Sequence, residues 1–315
     1  MKRVGVAVVG VGFWGQNHVR LLSHMPNARL LGVHDVDRVR AQQVSVRFGV
    51  EKYDRLVDLL RVKGLDAVCI CTQTQAHGTV AERALEARKH VFLEKPMTGD
   101  STQAARLVRL AGRNGTVLMV GFVERFNQSV RKARELVASG QLGKIILVGA
   151  RRVMRWARRT GDVGVVRDVA IHDIDAMMSI LDSEIREVYA SVGSIHRGLE
   201  DYAQVMLSLE NGATGFVDAN WLTPRKIRSL VVTGTEATFS LDYLTQEYMV
   251  EDQKGSFRPA VTWQEPLKLE LEHFINCVLS GRKPEVPGED GVRALRVCDA
   301  ILESGHKKRI VNVHS

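Results

Sequence analysis

Residues 4–15 read Val4-Gly5-Val6-Ala7-Val8-Val9-Gly10-Val11-Gly12-Phe13-Trp14-Gly15. A short apolar run leads straight into Gly-x-Gly-x-x-Gly, the pattern of a buried strand that turns tightly into a helix. Gly10 allows the turn, Gly12 leaves the backbone open to a pyrophosphate, and Gly15 lets the helix pack closely on the strand; the helix N-terminus then offers free N–H groups to the anion. Phe13 and Trp14 occupy the variable positions of the same loop and count with it as candidate cofactor contacts. The context is the one the pattern requires. Asn17 to Leu22 continue as a helix, and Ala28–Val33 form a second strand leading to Asp35, 20 residues after Gly15. A carboxylate there binds the adenosine ribose hydroxyls and repels a 2′-phosphate. The expected cofactor is therefore NAD. Arg38 and Arg40 follow closely and soften the repulsion, which leaves NADP open.

Working outward, short apolar runs at 30–33, 67–71, 90–93 and 117–120 alternate with helical segments at 39–48, 56–62, 79–87 and 102–114. Continuous apolar runs are the habit of parallel strands buried on both faces. Residues 1–121 thus read as a Rossmann domain, a doubly wound parallel sheet. The last of these helices is expected to start at a cap supplied by Asp100 or Ser101. Residues 122–315 read differently. A helix over 130–139 is followed by longer alternating segments at 187–194, 202–209, 213–219, 227–233 and 238–242, with turn signals at Glu210-Asn211-Gly212 and Thr233-Gly234-Thr235-Glu236. One helix, 166–181, interrupts them; helices over 267–280 and 290–304 and a strand over 309–313 close the chain. The second domain is expected to be α+β, with an open antiparallel sheet covered on one face and free for pairing on the other.

The bulk figures exclude several classes. The chain has 315 residues, 45% hydrophobic and 25% charged, enough for two ordinary globular domains. No apolar run approaches the ~20 residues of a membrane span. The first ten residues lead directly into the first strand without room for a cleavable signal, so a cytoplasmic protein is expected. Cys69 and Cys71 alternate on a strand-like run without Cys-x-x-Cys spacing, which argues for core packing and against a metal. The net charge of +8 is dispersed apart from one run: Arg151, Arg152, Arg155, Arg158 and Arg159. With no recognition-helix or aromatic RNA-binding signature, the run suits a small anionic substrate better than nucleic acid. The plainer alternative is that these arginines decorate an exposed strand and loop.

Two places carry chemistry. Positions Asp168, His172 and Asp175 are spaced i, i+4, i+7, so a regular helix sets them on one face beside an apolar stripe of Ile171, Ile174, Met178 and Leu181. Histidine there can take a proton while a carboxylate holds its ring. The other place is His90-Val91-Phe92-Leu93-Glu94-Lys95-Pro96, a strand ending in Glu-Lys-Pro. The carboxyl ends of parallel strands line the ligand crevice, so Lys95 shares an edge with the glycine turn. It could hydrogen-bond a substrate hydroxyl and stabilise a developing alkoxide. A solvated helix face and a surface lysine are the bland alternatives.

Taken together the chain resembles the Gfo/Idh/MocA oxidoreductases. The likeness rests on Gly10-x-Gly12-x-x-Gly15, Asp35, Thr72 with His77, Glu94-Lys95-Pro96, Gly121-Phe122 with Arg125-Phe126-Asn127, and Asp168-x-x-x-His172-x-x-Asp175. It implies that Lys95 and His172 act on the reacting hydroxyl with Asp168 as partner. It also implies that Thr72, His77 and Glu94 lie on the cofactor side, that Arg125 lies with the substrate, and that the open sheet forms a dimer or tetramer. Which of Lys95 and His172 is the base stays open. Gln73 stands where the family usually has Pro, and Ala170 where it usually has Gly; neither removes a chemical group. The runs 121–127 and 161–166 resemble the UDP-N-acetylglucosamine 3-dehydrogenase branch, for which Arg158 and Arg159 would hold the pyrophosphate. The expectation is an NAD(P)-dependent dehydrogenase of a nucleotide-sugar, with a free sugar or inositol as the alternative substrate and a non-catalytic dinucleotide sensor as the alternative class.

Overall fold

Five strands alternate with helices through the first 121 residues: β1 (Val4–Val9), β2 (Ala28–His34), β3 (Ala67–Ile70), β4 (His90–Glu94) and β5 (Leu118–Gly121). The computed structural model describes residues 3–155, 162–196 and 198–313. All five strands are parallel, in the order β2-β1-β3-β4-β5. The order reverses beside β1, which makes the carboxyl edge there the ligand crevice of a doubly wound sheet. Every residue of β1, β3 and β5 is buried, as both faces are covered by α1 (Phe13–His24), α2 (Arg38–Phe48), α3 (Leu56–Leu60), α4 (Thr74–Glu86) and α5 (Ser101–Asn114). Helix α5 starts where Asp100 accepts a hydrogen bond from the Gln103 N–H at 2.8 Å and stops at Gly115, whose φ of +63° favours glycine.

The chain divides into two compact units. The first runs to Gly121 and also takes in Leu267–Val292; the second comprises Phe122–Pro266 and the chain from Arg293 onward. The sequence assigns all of 122–315 to the second domain, and residues 267–292 depart from that. The helix Pro266–Ser280 sets Phe274 edge-on against Phe92 of β4, with ring centroids 5.6 Å apart, and the Val120 N–H donates to the Val286 carbonyl at 3.0 Å. A buried aromatic pair and an edge hydrogen bond hold this segment to the parallel sheet, a long-range choice that local periodicity does not encode.

Among the described residues the second unit is built on nine strands: β6 (Ile145–Val153), β7 (Ile185–Gly193), β8 (Tyr202–Leu209), β9 (Thr214–Asn220), β10 (Ile227–Gly234), β11 (Ala237–Asp242), β12 (Tyr248–Asp252), β13 (Gly255–Phe257) and β14 (Val311–Asn312). Their order is β13-β12-β11-β10-β6-β9-β8-β7-β14. The sheet is mixed, because β6 and β9 run parallel while every other pair is antiparallel. Burial alternates along β8: Ala203, Val205, Leu207 and Leu209 face inward while Gln204 and Met206 face out. Helices α6 (Gln128–Ala138) and α7 (Ile171–Leu181) pack together, and α7 rests on β6 and β9. The other face exposes Leu147, and it exposes Tyr189, Met206, Phe216 and Val231 around a shallow depression of about 550 Å³. Among the described residues no helix is long and apolar enough to cross a membrane.

Candidate active site

The glycine turn has the geometry its sequence predicts. Gly10 sits at φ +84°, and a Cβ on it would come within 2.7 Å of the Cys71 carbonyl carbon. A Cβ on Gly15 would lie 1.9 Å from the Gly10 carbonyl oxygen, so α1 can approach β1 only as glycine. Gly12 differs: a Cβ there meets nothing within 4 Å. The space above it is open, and α1 begins at Gly12 with no side chain capping its first N–H groups. Open backbone at an uncapped helix N-terminus is a cradle for a dinucleotide pyrophosphate, so the residues present fit NAD. Phe13 is 72% exposed beside this opening. Gly12→Ala is expected to leave the melting temperature unchanged and to weaken NADH binding about tenfold or more, roughly 1.4 kcal/mol; titrating NADH fluorescence checks this, and unchanged affinity would place the pyrophosphate elsewhere.

Asp35 follows β2 at the same edge. It is buried, with Oδ2 accepting from the Val11 N–H at 2.8 Å and Oδ1 from the Asp37 N–H at 2.9 Å. The Arg40 guanidinium approaches both oxygens at 3.3–3.4 Å. The carboxylate is thus tied to the glycine loop itself, and Arg40 is the residue that tempers its charge. Thr72 follows β3. Buried His77, on α4, spans from the Pro96 carbonyl (Nδ1, 2.8 Å) to the Thr72 carbonyl (Nε2, 3.1 Å), so its ring pins together the loops that follow β3 and β4.

Glu94 ends β4 and is occupied by protein groups. Its Oε1 accepts from Trp14 Nε1 at 2.5 Å and lies 2.8 Å from His18 Nε2; its Oε2 accepts from the Lys95 N–H at 3.2 Å. Glu94 and Trp14, expected as cofactor contacts, therefore join α1 to the end of β4. Half-buried Lys95 leaves β4 on the same edge, followed by a cis Lys95–Pro96 bond. Beside this network the Cys71 thiol, the His18 ring and the Glu94 carboxylate bring ligand atoms within 4.8 Å of one another, the one such group among the described residues that could hold a metal ion. Burial, then the Glu94 charge, pushes the Cys71 thiol far above its ordinary range, so it stands as a protonated thiol. Cys69 is raised for the same reasons, and all four cysteines are free.

In the second unit the expected regular helix over 166–181 is broken. Val166–Ala170 form a π turn, in which the Ile171 N–H reaches the Val166 carbonyl, and α7 continues from Ile171. The widened turn rotates Asp168 relative to the residues beyond, so the i, i+4, i+7 face does not persist. Asp168 and His172 are both partly exposed, but Asp175 is buried. Arg125 grips it bidentately, Nε to Oδ2 at 2.8 Å and Nη2 to Oδ1 at 2.7 Å, with 8% and 1% of the two side chains exposed. Arg125, expected with the substrate, is spent on this internal fork.

The arginine run does not form one patch. Adjacent strand residues point to opposite faces. Arg151 lies on the exposed face and pairs with Asp218 at 2.9 Å. Arg152 points inward, bonded to both Asp173 oxygens (2.9 and 3.0 Å) and to Glu124 (2.8 Å), with its guanidinium 4.5 Å over the Tyr243 ring. Burial alone would lower the Arg152 pKa, but the adjacent Asp173 and Glu124 charges outweigh it and hold the guanidinium ionised. Arg155 is exposed, and Arg158 and Arg159 lie outside the described residues. This buried network, and Arg228 beside it on β10, has no signature in the sequence, since the neighbours of Arg152 lie 21 to 91 residues from it along the chain; the one available signal is strand alternation, which sends Arg151 and Arg152 to opposite faces.

The comparisons agree with this construction. Residues 4–122 match the family described as "Oxidoreductase family, NAD-binding Rossmann fold", and 130–240 match the "GFO/IDH/MocA C-terminal domain". The scyllo-inositol 2-dehydrogenase (NAD(+)) of Bacillus subtilis is 30% identical over 96% of this chain and 94% of its own. The myo-inositol 2-dehydrogenase of Thermotoga maritima is 28% identical over 98% of each. The solved structure of UDP-N-acetylglucosamine 3-dehydrogenase from Acidithiobacillus ferrooxidans superposes with a TM-score of 0.89 at 25% identity, over 96% of this chain and 98% of that one. With an NAD-binding doubly wound domain, a mixed-sheet second domain and relatives matched over nearly their whole length, the chain belongs to the Gfo/Idh/MocA oxidoreductase family.

Proposed function

We propose that the protein oxidises a secondary ring hydroxyl of a sugar, with UDP-N-acetylglucosamine as substrate and its 3-hydroxyl as the reacting group. The observation that carries the dehydrogenase reading is Lys95, half-buried at the carboxyl edge that also bears the open, uncapped turn at Gly12. When bound, NAD supplies the hydride acceptor. The Lys95 ammonium donates to the hydroxyl oxygen and stabilises the alkoxide as it develops. His172 shares the work on the hydroxyl proton, and Asp168 orients it. The assignment of both groups to one hydroxyl is carried by family membership. The sequence runs 121–127 and 161–166 and the similarity to the A. ferrooxidans enzyme support the nucleotide-sugar.

A second substrate reading has its own support. The parting of Arg151 from Arg152 takes two members out of the five-arginine run expected to hold an anion, and two relatives are named as inositol dehydrogenases, which favours a neutral cyclic polyol. Absorbance of reduced nicotinamide separates the two. UDP-N-acetylglucosamine should be turned over, with NAD ahead of NADP in kcat/KM because of Asp35. Turnover of myo-inositol without the UDP-sugar would establish the second reading, and an advantage for NADP would mean that Arg40 governs the pocket.

A second copy of the chain is proposed to cover the sheet face bearing Leu147, Tyr189, Met206, Phe216 and Val231. Contiguous apolar surface of this kind marks interaction sites. Sedimentation should return a multiple of the 35.1 kDa chain mass, and Phe216→Glu should shift it towards one; a wild-type monomer sinks the proposal.

A further inference from the structure

Arg228 is the neighbour of Arg152 across the β10–β6 pair, so both side chains stand on the covered face of the sheet. Their situations differ. Arg152 has every side of its guanidinium taken by Asp173 and Glu124. Arg228 is half-buried, and its backbone carbonyl accepts from the Tyr243 N–H at 3.0 Å, yet its side chain makes no hydrogen bond or ion pair to any described residue. Lys226, just ahead of β10, is exposed, and its side chain is likewise unpaired among the described residues. A half-buried guanidinium with five unused donors is uncommon, because arginines at such depth are ordinarily paired.

The surrounding charges are all in the second unit. Burial and then the Arg152 charge push the Arg228 guanidinium below its usual range, while Glu124, Asp173 and Asp168 act in the opposite sense. Lys226 is lowered by burial and by Arg228 and Arg152, with Glu124 opposing. Burial is the largest cost to both cations, and an anion bonded to them would offset it. Arg152, the cross-strand neighbour of Arg228, is bonded to Asp173, the residue after His172 in α7, so an anion on Arg228 would lie near that element.

We propose that Arg228, seconded by Lys226, is an anion-recognising subsite that selects substrates bearing a phosphate or carboxylate group. Arg228 supplies the planar fork such groups accept bidentately, and Lys226 at the rim adds a mobile point charge. The subsite rests on the proposed reading of Asp168 and His172 as substrate-side groups, and it supplies what the dispersed arginine run does not. The competing role is internal: Arg228 could simply balance the surplus carboxylate around Arg152.

Calorimetric titration of the full-length, NADH-saturated protein with UDP, glucuronate and myo-inositol tests it, on wild type, Arg228→Gln, Arg228→Lys and Lys226→Gln. Wild type should bind UDP or glucuronate more tightly than myo-inositol. Arg228→Gln should lose about tenfold to a hundredfold of that affinity, the size of one or two charge-assisted hydrogen bonds, with Arg228→Lys intermediate and Lys226→Gln weaker mainly at low salt. Binding of UDP points to a nucleotide phosphate, and binding of glucuronate alone to an acidic sugar; in the second case the subsite stands while the UDP-sugar reading falls. Unchanged anion affinity in Arg228→Gln overturns the subsite, and a lowered melting temperature with that result assigns Arg228 to charge balance. Oxidation of UDP-N-acetylglucosamine at wild-type kcat/KM by Arg228→Gln would leave the function intact and remove the subsite.

Discussion

His172→Ala and Lys95→Ala are each expected to lower kcat by a factor on the order of 10²–10⁴ while the dissociation constant for NADH changes little, the effect of removing a positioned acid–base or electrostatic group. Both side chains are partly exposed, whereas Asp175 and Arg152 are buried. Neither belongs to the glycine turn. The double variant should be little worse than the poorer single one if both serve a single step. Asp168→Asn should cost less and displace the pH–rate profile, because it alters the partner rather than the proton carrier. The readout is steady-state turnover on whichever sugar or polyol the wild type accepts, beside an NADH titration. Turnover near wild type in both single variants would place the chemistry on other residues.

Asp175→Ala is expected to destabilise the second unit by about 3–5 kcal/mol, the cost of leaving a buried guanidinium without its counter-charge. The Arg125–Asp175 fork is bidentate and almost wholly removed from water. Exposed pairs give the contrast. Glu303 and Lys307, four residues apart in the helix Gly288–Lys307, are about half exposed, and Glu303→Ala should cost no more than about 0.5 kcal/mol. Urea unfolding, followed as a shift in midpoint at constant slope, measures both. An apolar replacement of the pair, Arg125→Met with Asp175→Leu, should recover much of the loss, since burying two charges is itself costly. If Asp175→Ala behaves like the surface control, the fork is exposed in solution and Arg125 returns as a substrate ligand.

The elements of this chain follow from short-range physics. Gly10 is forced by its φ of +84° and Gly15 by a 1.9 Å virtual clash with the Gly10 carbonyl oxygen, both within one strand-to-helix turn. Asp100 and Gly115 mark the ends of α5 through bonds three to five residues long. Period-2 burial along β8 and continuous burial along β1, β3 and β5 separate the two sheets by pattern alone. For the same reason the carboxyl edge of the parallel sheet, where Gly12, Asp35 and Lys95 follow β1, β2 and β4, is legible: parallel strands of one doubly wound sheet must end together.

The partnerships of charged side chains lie beyond that reach. Asp175 shares a helical periodicity with His172, yet its role is decided by Arg125, 50 residues away; Glu94 is claimed by His18, 76 residues away. The π turn at 166–170 changes the phase of the helix, and no propensity marks it. The mixed β6–β9 pairing and the return of 267–292 to the parallel sheet are likewise tertiary choices. Periodicity in the sequence determines which face of a strand or helix a residue occupies. Which opposite charge it meets is decided only when the chain folds, because a buried ion pair takes its energy from desolvated proximity and carries no information about distance along the chain.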